Sequence, residues 1–131
     1  MKYKQTIVAN WKMKLDVDEA IALATELKNI LVKEKLTDKK VVLCPSFLAF
    51  GEVAQVLHDS DIALGAQDVF YEDQGAFTGE VSPENLKQLG CEYIIVGHSE
   101  RRALGETDEV VNKKAQAVLA NNIIPIICVG E

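Results

Sequence analysis

The segment IIVGHSERR, residues 94–102, places a histidine, a serine, a glutamate and two arginines directly behind three apolar residues and one glycine. A neutral imidazole donates one hydrogen bond and accepts another, so His98 can polarise a carbonyl and pass protons between oxygens. Gly97 lets backbone approach a ligand closely. SERRALG reads as a short helix starting immediately after the imidazole, and the partial positive charge of a helix N-terminus lowers a neighbouring histidine's pKa and favours the neutral ring. The competing reading of His98 is a structural hydrogen-bonder. Glu100, Arg101 and Arg102 read equally well as a solvated charge cluster, above all Arg102. A second candidate is Lys12 in ANWKM, set between Trp11 and Met13, where an ammonium is costly unless an anion comes to meet it. The competing reading there is a surface lysine snorkelling past Trp11. His58, on a helix tail beside Asp59, carries no such signal.

These residues need elements to hold them, and short β-branched runs alternate with helical patterns along the whole chain. The strand candidates are TIVAN (6–10), KVVLC (40–44), IALGAQ (62–67), CEYIIV (91–96) and IPIICV (124–129). Several are apolar on consecutive residues, as strands covered on both faces are. Asp16 and Glu19 fit a capping box, with Leu23, Leu27, Ile30 and Leu31 as one apolar stripe behind it. Ser46 can cap a helix carrying Val53, Val56 and Leu57. Ser82 followed by Pro83 is a helix start, and Gly90 a fitting stop. Thr107 opens the last helix, with Val110, Val111, Val118 and Leu119 inward. The order β-α-β-α-β-α-β-α-β predicts a parallel sheet with right-handed crossovers. In such folds function gathers at the carboxyl ends of strands, which selects Asn10 and Lys12 after strand 1, Gln67 after strand 3, and His98, Ser99 and Glu100 after strand 4. The longest irregular stretch, residues 68–83, is long enough to have a job of its own.

A chain of 131 residues is ordinary for one domain, so residues 1–131 are expected to form a single domain. Its 48% apolar and 26% charged residues disfavour disorder and membrane insertion, and no apolar run reaches the roughly 18 to 20 residues of a spanning helix. The N-terminus lacks the long apolar region of a secretory signal, which implies the cytoplasm. Cys44, Cys91 and Cys128 are too widely spaced for a zinc site and odd in number, so they read as reduced core residues, with a reactive thiol as the alternative. A net charge of -6 disfavours nucleic acid as a partner but says nothing against small anions.

VANWKM, GAQDVFYEDQGAFTGEVSPENLKQLGCEYIIVGHSERR and PIICVGE closely resemble the N-terminal part of the triosephosphate isomerase family, in the same order from Ile7 to the last residue. The resemblance implies a partial (β/α)8 barrel, an α/β fold with five parallel strands in the order 1-2-3-4-5 and helices outside. It also implies a glycolytic and gluconeogenic isomerase that interconverts dihydroxyacetone phosphate and glyceraldehyde 3-phosphate through an enediolate, without metal or cofactor. Asn10 and Lys12 match the family's substrate-contacting pair, with Lys12 offsetting phosphate and oxyanion charge. His98 matches the electrophile, Glu100 a buried carboxylate near Lys12, and Ser99 a polar residue beside the site. Thr78 matches the tip of the dimer-interface loop, reaching towards the neighbouring subunit. The family's barrel takes roughly 250 residues. The glutamate base after its strand 6 and the phosphate loops after strands 7 and 8 have no counterpart in this sequence, and Glu131 matches a different position. Three readings follow: an isomerase portion that is incomplete as a catalyst, a non-catalytic phosphate-binding or self-assembling half-barrel module, and an open flavodoxin-like sheet with order 2-1-3-4-5. Ending on an apolar strand predicts a homo-oligomer or a complementary C-terminal chain covering strand 1 or strand 5.

Overall fold

The computed structural model describes residues 5–130, which divide after Gln67 into two compact units. The strands are β1 (Gln5–Asn10), β2 (Lys39–Cys44), β3 (Ala63–Ala66), β4 (Cys91–Val96) and β5 (Ile124–Ile127). They belong to one sheet in the order β1-β2-β3-β4-β5, the order of consecutive strands in a (β/α)8 barrel. Strand β1 pairs with β2 alone and not between β2 and β3, which removes the flavodoxin-like alternative. Glu131 lies outside the described residues.

In the first unit β1 and β2 run parallel from Gln5↔Lys39 to Asn10↔Cys44, and β2 continues the ladder to β3 at Val42↔Ala63 and Leu43↔Leu64. Helix α1 (Val17–Glu34) begins with the expected capping box: Glu19 N donates to Asp16 Oδ1 at 2.8 Å and Asp16 N to Glu19 Oε2 at 3.0 Å. Its most buried residues are Ala20 and Ala24 rather than the larger aliphatics, and Ile30, expected inward, is exposed. Two alanines one turn apart let helix backbones approach closely, so the packing face centres on them and turns Ile30 to the rim. Ser46 differs from expectation too. It precedes a 3₁₀ turn, Phe47–Ala49, without a side-chain cap, because its carbonyl already closes the turn by accepting Ala49 N at 3.1 Å. Helix α2 (Phe50–Leu57) then buries Phe50, Val53 and Leu57 and packs against β3 and α1.

In the second unit helix α3 (Pro83–Gln88) starts at Ser82, whose hydroxyl accepts Asn85 N at 3.3 Å. Strands β4 and β5 pair from Tyr93↔Ile124 to Val96↔Ile127. Between them lie helix α4 (Ser99–Ala103) and helix α5 (Asp108–Ala120), the latter capped by the Thr107 hydroxyl. Helix α5 buries Val111, Lys114, Ala115 and Val118, while Leu119, expected inward, is exposed. Residues 111, 114, 115 and 118 share one face at helical spacing, and position 119 lies about 100° around the axis from it. Strand β5 ends two residues short of the expected Val129 and is only partly covered: Ile124 is 53% exposed, Ile127 50% and Val129 87%.

Candidate functional site

In the first unit the chain leaves β1 at Asn10 and turns back within two residues. Lys12 sits at φ +54°, a left-handed conformation that costs a residue with a Cβ roughly 1 kcal/mol or more. Both of its backbone polar groups are held by side chains. Asn10 Oδ1 accepts Lys12 N at 3.0 Å, and Gln67 Nε2 donates to Lys12 O at 2.9 Å. The same Gln67 amide nitrogen donates to Cys44 O at 2.9 Å, and that carbonyl also accepts Trp11 N at 3.1 Å. The ends of β1, β2 and β3 are thus joined through one side-chain amide. The apolar setting read from Trp11 and Met13 does not enclose the lysine: Lys12 and Met13 are exposed, because the reversed turn carries both outward.

In the second unit His98 is the N-cap of α4, and its Nδ1 accepts Glu100 N at 3.1 Å. Accepting that bond requires Nδ1 without a hydrogen, which puts the proton of a neutral ring on Nε2. Glu100 Oε2 also lies 3.6 Å from Nδ1. Ser99 and Glu100 are exposed, and the Glu100 side chain at 57% is not the buried carboxylate implied by the resemblance. It stands at the second position of a one-turn helix.

Gly97 carries the turn into His98 at φ +69°, and a Cβ there would meet Arg102 Nη2 at 2.9 Å and Val111 Cγ1 at 2.9 Å. Arg102 is no solvated charge. Its Nε donates to Gly97 O at 2.8 Å, Nη1 to Asp108 Oδ1 at 2.6 Å and Nη2 to Cys128 O at 3.2 Å, so it clasps the ends of β4 and β5 to the start of α5. Arg101 likewise has fixed partners, with Nε 3.2 Å from Asp68 Oδ2 and 3.3 Å from Glu106 Oε2. Lys114 completes the cluster at 2.8 Å from Asp68 Oδ1 and 2.6 Å from Glu106 Oε2. The Lys114 and Glu106 side chains are 4% and 3% exposed. Burial by itself pushes the Glu106 carboxyl up, but hydrogen bonds and charge from Lys114 and Arg101 outweigh it and leave the pKa below the ordinary carboxylate value.

The loop over residues 68–82 packs on itself. Phe70 lies 4.2 Å from Tyr71 and 4.6 Å from Phe77 between ring centroids, and Phe70 N donates to Val81 O at 2.8 Å. Thr78 is exposed at its tip. Cys44 and Cys91 are buried and Cys128 half-buried, with burial raising the Cys128 thiol against the smaller opposing effect of Arg102. Both findings agree with core thiols. Among the described residues no three His, Cys, Asp or Glu side chains are grouped to hold a metal ion, and no helix is long and apolar enough to cross a membrane.

The sequence model of the triosephosphate isomerase family matches residues 5–131. The chain belongs to the triosephosphate isomerase family. Curated triosephosphate isomerases of Herpetosiphon aurantiacus and Pelobacter propionicus are 50% and 49% identical to it over 126 residues, which is 95% of this chain and 50% and 49% of theirs. That of Clostridium tetani is 45% identical over 129 residues, 98% of this chain and 49% of its own. The chain therefore spans about half the length of the curated triosephosphate isomerases it matches.

Residue-type reasoning placed Gln67 at the strand ends without giving it a role, and it missed the buried Lys114. A signal for the second was present: a lysine at the middle of the Val111–Val118 face of α5 interrupts an otherwise apolar stripe. A buried ammonium on such a face demands carboxylate partners.

Proposed function

We propose that this chain supplies the lysine and histidine portion of an aldose–ketose isomerase acting on triose phosphates, the reaction by which its relatives are named. The single observation that carries the reading is His98 as an N-cap. With Nδ1 occupied by Glu100 N–H, the ring presents an Nε2–H donor, suited to polarising a substrate carbonyl. As an enediolate forms, Nε2 donates its proton to one oxygen and recovers one from the other, so the ring ends as it began. Asn10 and Lys12 take the substrate-binding role, with the Lys12 ammonium offsetting phosphate and developing oxyanion charge. Ser99 and Glu100 support His98, and Thr78 belongs to an inter-subunit contact. The fit to glycolysis and gluconeogenesis, and to the cytoplasm, follows from the same assignment.

Abstraction of the carbon-bound proton needs a positioned base, and no carboxylate in these 131 residues matches the family's base. The 131-residue chain by itself is therefore inactive or very weakly active on dihydroxyacetone phosphate. The test is a coupled isomerase assay on this chain alone, and with a second chain made from the remaining length of the Herpetosiphon aurantiacus relative. Activity only in the mixture, lost with His98→Ala, is expected. A robust rate from the single chain that His98→Ala abolishes overturns the need for an external base, and an inert mixture that has assembled overturns the catalytic reading.

A second reading, a non-catalytic phosphate-binding or self-assembling module, is favoured by the exposed apolar side chains of β5 and of the residues just after it. Ile124, Ile127 and Val129 present at least half of their surface to solvent. Both readings make the chain associate, as a dimer or larger assembly or with a chain carrying further family strands. Sedimentation over a dilution series tests this: a compact monomer persisting at micromolar concentration contradicts association.

A further inference from the structure

We propose that Gln67 is a positioning residue for Lys12. The inference rests on the role of Lys12 proposed above and adds how its backbone is held in place. A lysine at φ +54° persists only where its surroundings over-determine it, since the same residue is more stable at negative φ. Two side-chain amides are part of these surroundings. Asn10 holds the Lys12 N–H and Gln67 the Lys12 carbonyl, so the peptide units on either side of the Lys12 Cα are both fixed. Asn10 is two residues away and moves with the turn. Gln67 does not: it follows Ala66, a fully buried residue at the end of β3, and is tied to the end of β2 through Cys44 O. Trp11 N, bonded to Cys44 O one residue earlier, also ties the turn to the sheet, and of these two side-chain bonds to the Lys12 backbone that of Gln67 is the one anchored outside the turn.

The amide is the group this job needs. Both oxygens it meets are carbonyls, each within 2.9 Å of Nε2, and a primary amide has two hydrogens on one nitrogen to give them. A carboxylate of the same shape has none, and methionine of similar length has none. Release of the Lys12 carbonyl frees the residue to relax to negative φ. That swings its Cα–Cβ bond and moves the ammonium by ångströms, and about 1 Å of misplacement is enough to lower catalysis by roughly two orders of magnitude.

The experiment uses the isotope-labelled 131-residue chain and NMR. In the wild type, scalar coupling across the hydrogen bond between Gln67 Nε2 and the Lys12 carbonyl carbon is expected, with a Lys12 three-bond H–N–Cα–H coupling and Cα shift of the left-handed region. In Gln67→Met that signature is lost throughout pH 5 to 7. In Gln67→Glu it is lost at neutral pH and partly recovered on acidification, when the protonated acid regains one donor; a merely structural role predicts no such pH-dependent rescue. Inorganic phosphate titrated against the Lys12 amide should show a several-fold weaker Kd in Gln67→Met than in wild type, and no response in Lys12→Met. If Lys12 stays left-handed in both Gln67 variants, the positioning role is overturned, whatever phosphate does. If Lys12 relaxes as expected but wild type shows no phosphate response, Gln67 holds the turn and it is the substrate-binding reading that fails. Should neither variant fold, the wild-type coupling decides, and its absence overturns the proposal.

Discussion

Glu106 accepts the backbone N–H of Gly97 on Oε1 at 3.2 Å while its other oxygen takes the Lys114 ammonium at 2.6 Å. A buried ion-pair cluster is thereby tied to the residue immediately before His98. Its other members come from three further parts of the second unit: Asp68 at the start of the long loop, Arg101 on α4, and Lys114 on α5. Two cations and two carboxylates balance, so no buried charge stands alone, and no buried side-chain nitrogen or oxygen among the described residues lacks a hydrogen-bond partner.

Lys114→Met removes the buried cation and leaves Asp68 and Glu106 with Arg101, whose side chain is partly exposed. Breaking a buried pair from one side costs about 3–5 kcal/mol. Urea unfolding of the variant is expected to show a loss near the lower end of that range, because Arg101 remains. A loss below about 1 kcal/mol would mean that water reaches the carboxylates once Lys114 is gone.

The depressed pKa of Glu106 has a definite sign in stability. A carboxyl whose folded pKa lies below its unfolded value contributes stability that is fully present above the unfolded value, 4.5, and is lost as pH falls through the lower folded value. Denaturant midpoints measured downward from pH 6 should therefore fall below about pH 4.5. The decline should be shallower in Glu106→Gln, which keeps an acceptor for Gly97 N–H but does not titrate. Equal slopes in the two proteins would assign the acid transition to other carboxyls.

Gly97→Ala meets two obstacles at once, a φ of +69° and a Cβ placed 2.9 Å from both Arg102 Nη2 and Val111 Cγ1. Backbone strain of this kind costs about 1–3 kcal/mol before the clash is counted. The measurable expectation is a lowered Tm together with shifted Arg102 Nε–H and His98 resonances, since Arg102 must give way. Wild-type stability with unmoved resonances would show that the turn can be rebuilt.

The His98 tautomer is open to direct observation. Nitrogen-15 spectra at neutral pH should show Nε2 bearing the hydrogen and Nδ1 bare, as the bond from Glu100 N requires. A neutral ring with its hydrogen on Nδ1, turned to Glu100 Oε2 at 3.6 Å, would contradict both the capping arrangement and the electrophile role.

The sequence by itself determined the element types, their order and the helix starts at Asp16, Ser82 and Thr107. These are written in short-range terms: β-branched runs, a hydroxyl or carboxylate three residues before a bonded amide, and crossover lengths that admit only parallel pairing. Gly97 reads in the sequence as room for a ligand, whereas the structure uses it for a positive-φ turn packed against Arg102 and Val111. Val53 and Leu57, and Val111 and Val118, read as inward and are buried, but tertiary structure alone decided how far each buried face extends and which polar residues meet. Ile30 and Leu119 fit an apolar stripe on paper, yet the packing faces settled on Ala20 with Ala24 and on Val111 with Val118, because close approach and neighbouring volume choose among faces of similar apolarity. Lys12, Arg102 and Lys114 each bond to a partner 55, 26 and 46 residues away, respectively. No local pattern encodes a hydrogen bond of that reach. It exists only once the strand ends stand side by side, and there Gln67 and Glu106 acquire what their residue types alone did not announce.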